Sequence, residues 1–221
     1  MYSHLTEEEA EKRLNGILTF SLKNGAVEKI RRLPSEDTIK HIEMRVRAIH
    51  AQAYWNLVLN FNLTAIHNSV IMLELFLKDL WFSKIGVDSD RTLTPLIDLC
   101  YKEGILSKEE KNFCKKVDDK CRNWYLHGNY EKLSAGATVE GIALKVDTDN
   151  PKKTIEAMQE ATSKPLGAQS PRTFTTKDLP VLKQIATLQR ADKEAEAIFL
   201  DIDDFIRKKS DSVYSKTEMA T

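Results

Sequence analysis

The chain has 221 residues, 42% of them hydrophobic and 30% charged, with 33 basic and 33 acidic side chains and so no formal net charge. That composition suits one folded core with an appendage. It excludes a histone-like coat of basic charge but not a local basic groove. The most apolar stretch, 69–82, is broken by Glu74, Lys78 and Asp79, so it reads as a buried helix rather than a membrane span. The acidic start carries no apolar leader segment. Cys100, Cys114 and Cys121 have no paired spacing and fit reduced thiols. A cytoplasmic protein without a membrane partner is expected.

In chain order, Thr6 and Glu9 make a capping box that opens the first helix, and Asn15-Gly16 is read as its stop. Residues 17–30 are ambiguous, with Asn24-Gly25 a candidate turn. A long helix is expected from an N-cap at Ser35 to about Asn60, along Ile39, Ile42, Met44, Val46, Ile49, Ala53, Leu57 and Val58. A second runs from Leu63 to Ile85, with Ile66, Val70, Leu73, Leu77 and Leu80 on one face, widened by Ile71, Leu75, Phe76 and Phe82. Thr94-Pro95 begins a short helix that Gly104 ends. Ser107 and Glu110 form another capping box, starting a helix with Phe113, Val117, Cys121 and Trp124 as its stripe.

Beyond Gly128 the helical period fades, and four of the six prolines fall between 151 and 180. This region reads as an irregular insertion, with a small hairpin around Glu140-Gly141. A last helix is expected over 180–208, with Leu182, Ile185, Leu188, Ala195, Ile198, Phe199, Ile202, Phe205 and Ile206 as its apolar stripe. The division is therefore 1–34 as N-terminal helix and connector, 35–132 as bundle, 133–179 as insertion, 180–208 as C-terminal helix and 209–221 as a polar tail. The fold class is all-α, a bundle of four to five helices.

One segment carries unusual chemistry: Lys120-Cys121-Arg122-Asn123-Trp124-Tyr125-Leu126-His127-Gly128-Asn129-Tyr130. In an α-helix Asn123 and His127 share a stripe, whereas Arg122 points roughly 140° from His127. Arg offers a rigid fork of donors that matches phosphate. His moves protons near neutral pH, and the Asn amide can orient the ring or bond a phosphate oxygen. This scheme needs no metal or other cofactor, and the remaining histidines have no zinc-type spacing. The plain alternative for Arg122 and His127 is a helix-end ion pair or cap.

Arg122-Asn123-x-x-x-His127, late in a helical bundle, resembles the signature of the HEPN superfamily. That resemblance covers 35–130 and the final helix. It implies a metal-independent endoribonuclease of bacterial defence or toxin–antitoxin type, acting as a homodimer with the two motifs facing each other. It assigns catalysis to Arg122 and His127, with Asn123 in support. RNA, most simply single-stranded, is the expected substrate, and an antitoxin or regulatory protein an expected partner.

Around the motif, Tyr125, Tyr130 and Lys120 are candidate substrate-binding residues, by base stacking and phosphate contact. Trp124 is read as core. Glu74, an acid within an apolar helix, is a candidate support that faces Arg122 or His127. The lysines from Lys108 to Lys120 are interleaved with acids and read as a solvated face. The competing function is a non-catalytic HEPN-like dimer that binds a nucleotide, RNA or a partner protein.

Overall fold

The computed structural model of the chain describes residues 6–34, 42–126, 133, 135, 138–141, 172–175 and 181–218. The fold is all-α. Its helices are α1 (Glu7–Lys23), α2 (Ala26–Arg32), α3 (Met44–Val58), α4 (Asn62–Ile85), α5 (Leu93–Lys102), α6 (Lys108–Val117) and α7 (Val181–Glu218). Between α6 and α7 lie a π-helical segment (Asp118–Leu126) and two short strands, β1 (Thr138–Gly141) and β2 (Arg172–Thr175). The chain divides into two compact units: residues 1–129 with 188–221, and residues 130–187.

The first unit is the bundle. α3 and α4 form an antiparallel pair, because the chain reverses at Asn60, whose φ of 63° is tolerated by Asn better than by most residues. The part of α7 from Leu188 onward lies along this pair. Leu57, Ile66, Leu73, Leu77, Phe199, Ile202 and Ile206 are wholly removed from solvent. Each contributes about 2 kcal/mol by burial, offset by the loss of side-chain freedom. Phe205 stacks edge-on against Phe76 and, more nearly parallel, against Phe113, so α4, α6 and α7 share one aromatic cluster. Gly86 ends α4 in the left-handed conformation, φ 80°.

Both capping boxes form, Thr6 with Glu9 and Ser107 with Glu110. Asp98 takes hydrogen bonds from Lys111 and Lys115, both at 2.9 Å, and so ties α5 to α6. The first of these cations, with help from the second, holds the Asp98 carboxyl below the usual range.

Several expectations are corrected. Gly16 does not stop α1, which continues to Lys23, because the left-handed turn falls instead at Gly25, φ 81°. Ser35 lies outside the described residues, and α3 begins at Met44 after extended Glu43. Ile71 and Phe82 do not widen the core face of α4, and Met44 of α3 and Ile185 and Leu188 of α7 are not core positions; all five are exposed. The expected tail is helical through Glu218, and Ser210 is buried while Lys209 bonds Glu110 at 2.8 Å.

The second unit holds the strand pair. β1 and β2 are antiparallel, with Val139 opposite Phe174 and Gly141 opposite Arg172. Glu140-Gly141 is therefore inside a strand and not a hairpin turn. The partner is the β-favouring Thr-Phe-Thr segment some thirty residues later.

The N-terminal helices are held by few bonds. Ser21 donates its hydroxyl to the Leu59 carbonyl at 3.1 Å. Lys29 donates to the Leu57 carbonyl at 2.8 Å and to Asn60 Oδ1 at 2.7 Å, capping the carbonyl end of α3. Burial lowers the Lys29 pKa, with Arg32 adding to the effect and Asp192 opposing it. Arg32 is paired with Glu196 of α7.

Candidate functional site

α6 leads directly into the π-helical segment that carries the Arg-Asn motif. In a π-helix the hydrogen bonds run from i to i+5, so the chain winds at only ~80° per residue. Residues four apart then stay close to one face, and Val117, Cys121 and Tyr125 are all buried. A residue three after Cys121 turns more than 100° away from it. Trp124 accordingly sits only half-buried, with the Arg190 guanidinium over its ring at 5.0 Å. The core reading of Trp124 is thus corrected: Tyr125 takes the core place.

Arg122 is positioned from two sides. Its Nη1 lies 3.4 Å from Asp118 Oδ1, one α-helical step earlier, and 3.3 Å from Thr94 Oγ1. Thr94 in turn donates to Asp118 Oδ2 at 2.6 Å. Asp118 is 4% exposed, so its charge is compensated locally by Arg122 and by the Thr94 hydroxyl. The Arg122 side chain is 19% exposed. Asn123 next to it is exposed.

Tyr125 and Lys120 both turn toward α7. Tyr125 is 4% exposed and donates its hydroxyl to Glu194 Oε2 at 2.9 Å, while Lys120 Nζ lies 3.4 Å from the same oxygen. Arg190 reaches Glu194 Oε1 at 3.1 Å. Burial would raise the Glu194 carboxyl, but the Tyr125 hydroxyl and the two cations outweigh it and hold the group below the usual range. Burial, then Glu194, pushes the Tyr125 phenol upward. The expected stacking role of Tyr125 is therefore corrected, since its ring is enclosed and its hydroxyl committed.

Glu74 bonds Lys78 at 2.9 Å on its own helix. The carboxylate against Arg122 is Asp118, not Glu74. His127 and Tyr130 lie outside the described residues. A different histidine borders the segment: His67 of α4, which forms a hydrogen bond with the backbone at Tyr125 and whose Nε2 is enclosed without a partner among the described residues.

Sequence reasoning passed over Asp118, Thr94 and His67. Asp118 stands four residues before Arg122, the spacing at which opposite charges meet on a helix, and that signal was there to use. Thr94 and His67 come from remote helices and leave no local trace. Among the described residues no group of three or more His, Cys, Asp or Glu side chains is arranged to hold a metal ion. No helix among them is long and apolar enough to cross a membrane. Comparison of the chain with protein-family models, curated proteins and solved structures finds no match.

Proposed function

We propose that the protein is an endoribonuclease of HEPN type that cleaves RNA without a metal ion, with Arg122 and His127 as its catalytic pair and Asn123 in support. The observation that carries this reading is the π winding at the motif. Arg122 and His127 are five residues apart, and five steps of ~80° make about 400°, some 40° beyond one full π turn. Continued through His127, which lies outside the described residues, that winding would set the two side chains about 40° apart, against roughly 140° in α geometry.

In the proposed reaction the ribose 2′-oxygen attacks phosphorus and the bond from phosphorus to the 5′-oxygen breaks. Imidazole accepts the 2′-hydroxyl proton, and a protonated imidazole returns one to the 5′-oxygen. Arg122 stabilises charge on the non-bridging oxygens. The products are a 2′,3′-cyclic phosphate and a 5′-hydroxyl. A homodimer would supply the second imidazole, and a defence or toxin role follows from the resemblance alone.

A second reading, a non-catalytic RNA- or nucleotide-binding module, draws on the engagement of Arg122 by Asp118 and Thr94. One experiment separates the two. The purified protein and its Arg122→Ala/His127→Ala variant are incubated with mixed cellular RNA in EDTA, and fragment ends are resolved. Cyclic-phosphate ends from the wild type alone support the nuclease. Intact RNA with both folded proteins, accompanied by retained RNA binding, favours the module. Cleavage that chelator abolishes overturns the metal-free mechanism.

A further inference from the structure

The π-helical segment is held from outside at both ends. At its start Asp118 takes the hydroxyl of Thr94, from α5, at 2.6 Å. Near its end Tyr125 is held twice. Its hydroxyl reaches Glu194 of α7 at 2.9 Å, and its backbone is bonded by His67 of α4. A π winding is rare, and three helices brace this one.

The direction of the His67 bond follows from its effect. It strengthens the ring's hold on a proton, so the ring N–H donates and the Tyr125 carbonyl accepts. Nε2 is enclosed and has no partner among the described residues, which leaves Nδ1 as the donor. The last carbonyls of a helix have no partner within it. His67 thus brings to the end of the segment the donor that a helix end lacks. We propose that His67 is a positioning residue for the motif: by holding the Tyr125 carbonyl from α4, it keeps the π winding in place and fixes the main chain between Arg122 and His127.

Two features favour this over a bond that only adds stability. The first is its target, which is main chain. Arg122 lies three residues before Tyr125 and His127 two after, so neither is more than about 11 Å of extended chain from the fixed point. The hydroxyl bond to Glu194 sits at the far edge of the ring, and deleting it leaves that main chain held. The second is the idle Nε2. A nitrogen shut away unpaired is a cost that an apolar side chain would avoid. A native fold bears such a cost where the residue does something an apolar one cannot. The part in catalysis rests on the nuclease reading; the hold on the segment does not.

Two variants test it. His67→Leu removes the donor, and His67→Asn sets an amide N–H close to the place of Nδ1. Hydrogen exchange reads the hold. In His67→Leu the amides of 119–126 should exchange roughly tenfold faster or more while those of α6 keep their rates, and His67→Asn should restore most of the protection. RNA cleavage in EDTA reads the part in catalysis. His67→Leu should lower kcat per folded molecule by roughly 30-fold or more with KM within about twofold, and His67→Asn should recover most of that loss. Urea unfolding gives the folded fraction of each variant. Unchanged exchange of the segment in His67→Leu overturns the proposal whether or not the protein cuts RNA. So does faster exchange spread evenly over α6, which marks plain destabilisation. A loosened segment with kcat unmoved overturns the positioning role. A wild type that cuts nothing, with the segment loosened in His67→Leu alone, supports the hold and counts against the nuclease reading.

Discussion

His50 and Asp203, 153 residues apart in the chain, meet in the core with His50 Nε2 2.8 Å from Asp203 Oδ1. His50 has no solvent exposure and Asp203 only 3%. Arg207 closes the cluster, its Nε 2.6 Å from Oδ2 and its Nη2 2.9 Å from Oδ1. The pair fixes α3 against α7. Because the carboxylate serves both neighbours, Asp203→Ala leaves the imidazole without a hydrogen-bond partner on either nitrogen among the described residues and removes two hydrogen bonds from the Arg207 guanidinium. A loss of about 3–5 kcal/mol is expected, measured by urea unfolding. A change below about 1 kcal/mol would show that water or rearrangement replaces the bond.

Tyr125 anchors the motif segment to α7 through Glu194. Tyr125→Phe keeps the ring and deletes one hydrogen bond to a charged group, so destabilisation of about 1.5–3 kcal/mol is expected. RNA cleavage per folded molecule should stay close to wild type. A large loss of cleavage with stability intact would return Tyr125 to the substrate-binding surface.

His67 makes stability fall toward acid pH. Burial lowers its pKa below the ordinary 6.5, while the hydrogen bond with the backbone at Tyr125 pulls the other way. Above about pH 6.5 the imidazole is neutral in both folded and unfolded chains and contributes no pH dependence. Below that value the unfolded chain takes up the proton first, and stability drains away until the lower folded pKa is reached. His67→Gln should therefore flatten the change in unfolding free energy between about pH 7.5 and 5.5. An unchanged slope would show that His67 is as easily protonated in the fold as outside it.

Burial pushes the thiols of Cys100, Cys114 and Cys121 up to about 12. Thiolate is the reactive form, so the folded protein should resist iodoacetamide at pH 8 while the unfolded chain takes three labels. Mass spectrometry reads the count, and rapid labelling of any cysteine in the native state would mark a local opening of the bundle.

Local chemistry made much of the fold legible. The Thr6–Glu9 and Ser107–Glu110 boxes and the run from Ile66 to Leu80 declare themselves within a few residues, and each forms as read. What escaped depends on distance. The partner of Val139 is Phe174, and no feature near Val139 names it. The helix persists past Lys208 because Lys209 finds Glu110, a contact that only the folded bundle creates.

At the candidate site, the Arg-Asn motif was visible, but the winding that carries it was not. Nine residues are too few for a periodicity of 3.6 to be told from a slower one. Tyr125 was misread for a different reason: it follows Cys121 by four residues, a spacing that keeps one face in α winding as well, so its burial was open to be read.

The π segment also makes the chain length between α6 and the motif a structural variable. A π turn holds more residues than an α turn, so it acts as an absorbed insertion. Deleting one residue from 119–121 would give the segment the means to relax to ordinary α winding at little cost in backbone hydrogen bonds. Arg122 would keep its facing: four π steps of ~80° from Asp118 make about 320°, and three α steps of ~100° make about 300°. A shortened chain would thus remove the slower winding while leaving the motif's side chains unaltered, and so separate what the π turn contributes from what Arg122 contributes, a question that no substitution scan can put.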